Sequence, residues 1–162
     1  MISPEVLRRY PFFNFMNHEQ LRQIAMISEE VNLDGGETLF EMGDVASGLY
    51  LLEEGSIDLQ YVVVDELKTG KRMAFHIGQI NPGELVGISS VIEPHKVTAT
   101  AVADTPSKLL KIDAAELRAL EKADSALAYG LQQKVARAAM RRLHYARMEL
   151  LAATAEGQMP EP

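Results

Sequence analysis

The sequence predicts an α+β fold in which a β-rich middle segment lies between two helical segments. Hydrophobic residues recur at helical spacing near both ends of the chain, whereas in the middle they alternate with polar residues. Turn residues divide the middle segment into many short runs, which is typical of an antiparallel sandwich or barrel. The chain has 162 residues, of which 47% are hydrophobic and 24% are charged, so it can bury a core of its own.

These patterns indicate a single domain over residues 1–154. We expect N-terminal helices at 1–30, a β block at 31–112 and C-terminal helices at 113–154. Residues 155–162 are polar and contain prolines, and we expect them to form a flexible tail.

The N-terminal block contains a recognisable helix start. Asn17 followed by Gln20 has the spacing of a capping box, in which each side chain bonds the backbone N–H of the other residue. Leu21 and Ile24 then fall on one helical face. A shorter helix and a turn are expected before this helix.

The middle block changes to a period of two. Ile57, Leu59, Tyr61 and Val63 alternate with residues that are mostly polar, as in a strand with one buried face. Other short β-rich runs cover residues 38–42, 48–52, 72–80, 97–102 and 109–112.

The C-terminal block predicts two further helices. Asp113 can cap a first helix, and a longer one follows Asp124 or Ser125 and continues for about 28 residues, or roughly 40 Å. A small barrel cannot cover that length, so part of the apolar stripe needs another partner. We therefore predict a homodimer through this helix, with the stripe Leu127, Leu131, Val135, Ala139, Leu143 and Leu150 in the contact.

Composition excludes several classes of protein. The chain has no cysteine, so disulfides, thiolate zinc sites and cysteine nucleophiles are absent. No apolar run approaches the roughly 18 residues that span a bilayer, which predicts a cytoplasmic protein without a membrane anchor. The net charge of −7 disfavours direct nucleic-acid binding. Five cations gather near the C-terminus, and we interpret them as a solvated helix face: Lys134, Arg137, Arg141, Arg142 and Arg147.

The glycine pattern carries a resemblance to a known family. GETLF followed by Gly43-Asp44, and then GLYLL followed by Gly55-Ser56, resembles the cyclic nucleotide-binding domain superfamily. The similarity continues through PGELVG at 82–87 and through Thr98-Ala99-Thr100. It implies an antiparallel β jelly-roll barrel flanked by N-terminal helices and a long C-terminal helix. It also implies a phosphate-binding cassette.

The register of that cassette decides what the resemblance implies for binding. In the superfamily a Gly-Glu-Leu-Ala motif precedes Arg-x-Ala-Thr, and only a start at Gly87 aligns Ala99 and Thr100 without a gap. Ile88 then replaces the Glu that holds the ribose hydroxyl, and Val97 replaces the Arg that pairs with the cyclic phosphate. Loss of such a charged partner typically costs about 2–5 kcal/mol, so we expect weak binding of cAMP or cGMP.

The predicted ligand-binding positions follow from this register. A short helix after Gly87 still presents backbone N–H groups, Ser89 and Ser90 could donate to an anion or cap that helix, and Lys96 could reach an anion by another route. Glu84 is interpreted as an exposed turn residue. The complete set is Gly87, Ile88, Ser89, Ser90, Lys96, Val97, Thr98 and Ala99.

Catalytic and metal sites are not indicated. A metal-binding jelly roll would carry a His-x-His pair, but the four histidines are scattered, and His76 on its strand is interpreted as a packed or exposed side chain. No Gly-x-Ser-x-Gly elbow is present for a serine hydrolase. We therefore predict that the protein is not an enzyme.

Two functional hypotheses remain. The resemblance implies a regulatory domain that senses cAMP, cGMP or another small anion, with the long helix moving as a lid. The alternative is a dimerising protein-interaction module that no longer binds cyclic nucleotide. The sequence ends soon after the long helix, so we expect a sensor without the helix-turn-helix that many superfamily members carry.

Overall fold

The structure is a computed structural model that describes residues 1–67 and 70–157, and its core consists of two four-stranded sheets. Every paired strand is antiparallel, with order β1-β8-β3-β6 in one sheet and β2-β7-β4-β5 in the other. This confirms the predicted jelly-roll arrangement. The strands are β1 (Ser28–Leu33), β2 (Thr38–Phe40), β3 (Gly48–Glu54), β4 (Ile57–Asp65), β5 (Lys71–Ile80), β6 (Leu85–Val86), β7 (Thr100–Ala103) and β8 (Ser107–Asp113).

Most strand bounds differ from the predicted runs by one to three residues, and three differences affect the topology or the candidate site. The alternation-based prediction missed β1, since four of its six residues are polar, and β6, which has only two residues. Strand β7 starts at Thr100 and not at Val97. The Val97 N–H and C=O instead bond the Asp44 C=O and the Gly43 N–H, each at 2.9 Å, so this residue pairs with a loop.

The N-terminal helices begin as the sequence predicts. Helix α1 covers Pro4–Leu7, a 3₁₀ turn covers Pro11–Phe13, and α2 covers His18–Met26. The capping box of α2 is confirmed: the Gln20 N–H donates to the Asn17 side chain at 2.8 Å, and the Asn17 N–H donates to the Gln20 side chain at 2.9 Å.

The C-terminal helices are also capped by the predicted residues. Helix α3 covers Ala114–Ala123, and its first turn donates to the Asp113 carboxylate. Helix α4 covers Ser125–Gly157 and begins where the Leu127 N–H donates to the Asp124 carboxylate at 3.0 Å. Three residues of the predicted tail, 155–157, are therefore helical, and residues 158–162 lie outside the described part of the chain.

Two hydrophobic clusters hold these elements together. One fills the barrel interior and includes Tyr50, Leu52 and Leu109. The other lies between the helices and the outer face of the β1-β8-β3-β6 sheet, where Leu51 and Leu110 meet helix residues. Burial of this apolar surface, at about 25 cal/mol per Å², fixes the helices on one side of the barrel.

The stripe on α4 serves two purposes, which corrects part of the dimer prediction. Leu127, Leu131 and Val135 are at most 1% exposed and pack into the helical cluster of their own chain, so they cannot contact a second copy. Ala139 is half-buried, whereas Leu143 is 49% and Leu150 is 69% exposed. Only the second half of the stripe is therefore available to a partner.

A close contact anchors the first half of α4. A Cβ atom added at Gly130 would lie 2.2 Å from the Phe15 ring, so a larger residue at that position would force the ring or the helix to move. Among the described residues, no helix is long and apolar enough to cross a membrane.

Candidate ligand-binding cavity

A cavity of about 770 Å³ lies between the barrel and the second half of α4. We call its two sides the barrel wall, formed by strand and loop residues up to Ala99, and the helical wall, formed by residues 141–148 of α4. Helix α4 contacts the 3₁₀ helix Ile88–Val91 and then β5. A volume of this size is ordinary for a small-molecule site.

The cassette glycine is fixed by backbone crowding. Gly87 has a φ of 78°, in the left-handed region. A Cβ atom there would lie 2.9 Å from the Gly48 carbonyl oxygen and 3.2 Å from the Tyr50 ring. Any larger residue would push the 3₁₀ helix away from β3, so this position controls the shape of the barrel wall.

Side chains of the C-terminal helices hold the end of that 3₁₀ helix. The Arg118 guanidinium donates to the Ser90 carbonyl at 2.9 Å, and the Gln132 amide donates to the Val91 carbonyl at 3.2 Å. The cassette is thus hydrogen-bonded to both α3 and α4. These two hydrogen bonds connect the 3₁₀ helix to both C-terminal helices.

The structure brings six of the eight predicted ligand-binding positions to the cavity. The other two predicted positions, Ser90 and Lys96, do not line the cavity. Ser90 is fully buried, whereas Lys96 is exposed and forms an isolated antiparallel β-bridge with Val45. The six that line the cavity are Gly87, Ile88, Ser89, Val97, Thr98 and Ala99.

Hydrocarbon side chains occupy the two positions where the family resemblance implies a ligand-binding Glu and Arg. Val97 is 4% exposed and lines the barrel wall. Ile88 also lines it, while packing in part against the helical cluster. Neither side chain can donate a hydrogen bond or carry charge, so this wall offers no guanidinium or carboxylate at these positions.

Arg142 brings a cation to the cavity from the helical wall. Its guanidinium donates to the Leu85 carbonyl oxygen. Burial lowers the pKa of Arg142, while the Glu84 carboxylate opposes that shift and Arg141 adds to it. This corrects the interpretation of Arg142 as part of a solvated face.

The sequence contained a signal for this orientation. Arg142 lies seven residues after Val135 and eleven after Leu131, and both spacings return to the same helical face. A cation at the end of a buried stripe was therefore identifiable as an inward-facing residue.

Glu84 accompanies the arginines and is not the exposed turn residue that was predicted. Its side chain is 27% exposed, lines the cavity and accepts a hydrogen bond from the Asn81 N–H at 3.0 Å. The Arg141 guanidinium lies 3.8 Å from its carboxylate, with Arg141 itself 63% exposed. Glu84 therefore offsets one of the two positive charges on the helical wall.

A second polar contact joins the helical wall to β5. The His76 Nδ1 contacts the Asp58 carboxylate, and the His76 Nε2 lies 3.3 Å from the Tyr145 hydroxyl. The two rings meet edge to face, with centroids 6.4 Å apart. Burial and the neighbouring Glu149 carboxylate raise the pKa of Tyr145. Within the described residues, no cluster of histidine and carboxylate side chains could hold a metal ion.

Comparison with known proteins agrees with this architecture. The family model of the cyclic nucleotide-binding domain matches residues 30–124. A solved structure of a candidate cyclic nucleotide-binding protein from Geobacter metallireducens is 37% identical, with a TM-score of 0.76, over 89% of this chain and 100% of that one. The N-terminal domain of a transcriptional regulator from Streptomyces coelicolor is 32% identical, with a TM-score of 0.61, over 88% of this chain and 94% of that one.

A curated relative is longer than this chain. A candidate potassium channel protein of Rhodopseudomonas palustris is 25% identical over 135 residues, which are 83% of this chain and 31% of that protein. The chain thus spans about a third of the length of that relative. Because the family model matches more than half of the chain, the protein belongs to the cyclic nucleotide-binding domain family.

Proposed function

We propose that the protein is a regulatory small-molecule-sensing domain whose cassette is degenerate for cyclic nucleotides. Its ligand occupies the cavity between the barrel wall and the helical wall, and α4 responds as a lid. The observation that carries this proposal is an open cavity of about 770 Å³ in which Ile88 and Val97 present hydrocarbon. The similarity to the N-terminal domain of the Streptomyces coelicolor transcriptional regulator supports a regulatory class of function.

Signalling requires the ligand to distinguish two positions of α4. A ligand that binds both positions equally shifts no population, however tightly it binds. Contact with both walls meets this requirement, since only the docked position of α4 provides both. The hydrogen bonds of Arg118 and Gln132 to the cassette offer a second route to the helices.

A blocked-cavity variant tests the proposal. Thr98 is exposed and lines the cavity, so Thr98→Trp obstructs part of the cavity without disturbing the core. The matched control is Thr105→Trp, at an exposed position outside the cavity lining. We expect a small-molecule screen by thermal shift and calorimetry to find ligands that bind the wild type and the control below millimolar concentration, but not Thr98→Trp.

Two outcomes would contradict the proposal. Micromolar binding of cAMP or cGMP that Thr98→Trp abolishes would show that the cassette is competent, because the loss of charged partners predicts roughly 30-fold or greater weakening. A screen in which Thr98→Trp binds every ligand as well as the control would remove the cavity as the sensing site.

The exposed second half of α4 favours a second function, as a dimerising interaction module. At 33 residues the helix is about 50 Å long, and its end carries large apolar side chains that its own domain leaves exposed. These are Met140 at 71%, Met148 at 51%, Leu150 at 69% and Leu151 at 63% exposure. Light scattering should then give a dimer that Leu150→Glu dissociates, and a wild-type mass that stays monomeric with concentration would refute it.

A further inference from the structure

The helical wall of the cavity holds a net positive charge that the barrel wall does not neutralise. Among the described residues, the cavity is lined by one carboxylate, Glu84, and two guanidinium groups, Arg141 and Arg142, with the His144 imidazole on the same wall as the arginines. Glu84 accepts from Asn81 and lies beside Arg141, which leaves one cation in excess. The cavity therefore complements a ligand with a single negative charge.

Arg142 is the group placed to bind that charge. A guanidinium has five N–H donors, and Leu85 accepts from Arg142 through one carbonyl oxygen. The planar fork can retain that bond and still offer a pair of parallel donors to an anion with two oxygens. Burial strengthens such a bond, since water competes less for the donors.

Apolar side chains form a continuous part of the barrel wall, alongside the polar side chains of Gln79, Asn81, Ser89 and Thr98. Phe40, Leu59 and Ile80 line the barrel wall beside Ile88 and Val97. A sugar hydroxyl group placed against these apolar side chains would be unpaired, at a cost in affinity. An aliphatic or aromatic body would instead gain from contact with them.

On these grounds, and resting on the proposed sensing function, we propose that the ligand is an apolar monocarboxylate. Its carboxylate binds Arg142 on the helical wall, and its aliphatic or aromatic body packs against the barrel wall. The anionic end thus contacts α4 while the apolar end contacts the barrel. Such a ligand holds α4 in the docked position.

The test compares acids with their uncharged amides. Octanoate and 3-phenylpropionate are titrated by calorimetry into the wild-type protein, alongside octanamide, 3-phenylpropionamide and cAMP. We expect at least one of the two acids to bind about tenfold or more tightly than its amide and than cAMP, which is the range of a charge-assisted hydrogen bond.

Two arginine-to-methionine variants distinguish the role of Arg142 from the loss of a positive charge anywhere on the helix. Arg142→Met keeps an unbranched apolar side chain and removes the guanidinium, and it should abolish the preference for acid over amide, with a much larger loss of affinity for the acid than for the amide. Arg137→Met, an exposed position on the same helix that does not line the cavity, should keep the preference. Circular dichroism verifies that both variants retain the fold.

The results distinguish this inference from the proposed function. Equal affinity of acid and amide in the wild type, or an unchanged preference in Arg142→Met, would overturn the monocarboxylate assignment. If acid and amide bound the wild type equally and Thr98→Trp abolished the binding of both, the cavity would remain a sensing site, but for another class of ligand. Failure of every probe to bind also overturns the assignment, and the broader screen with Thr98→Trp then decides the sensing function.

Discussion

The two walls of the cavity differ in both chemistry and attachment. The barrel wall presents hydrocarbon at Ile88 and Val97 and is built from strands and a crowded glycine turn. The helical wall carries the cavity's arginines, on a helix whose first half is buried and whose second half is exposed. The cavity's positive charge therefore lies on α4, whereas the hydrocarbon of Ile88 and Val97 lies on the barrel. A ligand that needs both contacts responds to the position of α4.

Adding charged side chains to the barrel wall should produce the largest change in ligand affinity. The double variant Ile88→Glu/Val97→Arg restores the carboxylate and guanidinium that the family resemblance places there. We expect cAMP affinity to rise by about 30-fold or more, since each charged partner is worth about 2–5 kcal/mol. Calorimetry measures the change.

A matched control for this exchange lies outside the cavity. Ile92→Glu/Val45→Arg makes the same two substitutions at residues that are 44% and 71% exposed. It should leave cAMP affinity at the wild-type level. If the wild type already bound cAMP as tightly as the first double variant, the degenerate-cassette hypothesis would be wrong.

Weakening the anchor of the helical wall should have the next largest effect. Leu131 is fully buried in the first half of α4, so Leu131→Ala should lower the free energy of unfolding by about 2–5 kcal/mol. Leu150→Ala, at the exposed end of the same stripe, should change it by less than about 0.5 kcal/mol. Urea denaturation measures both, and similar losses would mean that the two halves of α4 are equally buried in solution.

The contact between the walls at Tyr145 should have the smallest effect. Tyr145→Phe removes the hydroxyl that lies 3.3 Å from His76, and should cost about 0.5–1 kcal/mol of helix docking. Amide exchange in residues 139–155 would then accelerate by roughly two- to fivefold. Tyr129→Phe, at an exposed tyrosine of the buried half, is the control and should leave that exchange unchanged.

The Tyr145 side chain itself introduces a pH dependence. Burial raises the folded-state pKa of Tyr145, so the folded protein holds this proton more tightly than the unfolded chain does. The stabilisation is complete below the ordinary tyrosine pKa of about 10 and is lost as the pH rises through the higher folded value. Exchange of the wild type should therefore approach that of Tyr145→Phe only at strongly alkaline pH. Convergence near neutral pH would contradict this assignment.

Much of the fold was predictable because local signals determine it. The Asn17 capping box and the Asp113 cap each act within a few residues and are present as predicted. The strand beginning at Ile57 is also present, but only Ile57 and Leu59 of its alternating residues are buried, whereas Tyr61 is 49% and Val63 is 40% exposed. Strand β1 was missed because its pairing with β8, and not its own pattern, defines it. The predicted bounds of α4 ended too early because helical residues at its C-terminal end have no packing signal.

The cavity was only half predictable for a related reason. Gly87, Ile88 and Val97 follow from a motif with fixed spacing, so the barrel wall could be predicted residue by residue. The helical wall depends on how α4 crosses the barrel, which the contact between Gly130 and Phe15 helps to set across a long sequence separation. Arg142 was therefore assigned to solvent although its spacing from Val135 placed it on the buried face.

Because α4 is continuous, a tilt of its second half about Val135 displaces its C-terminal end further than the residues that line the cavity. From that residue, seven positions reach Arg142 and 22 reach Gly157, which are about 10 Å and 33 Å at 1.5 Å per residue. A tilt of about 10° that displaces Arg142 by less than 2 Å would displace Gly157 by about 6 Å. The helix thus multiplies a small adjustment around a bound molecule roughly threefold, into a displacement large enough for another protein to detect.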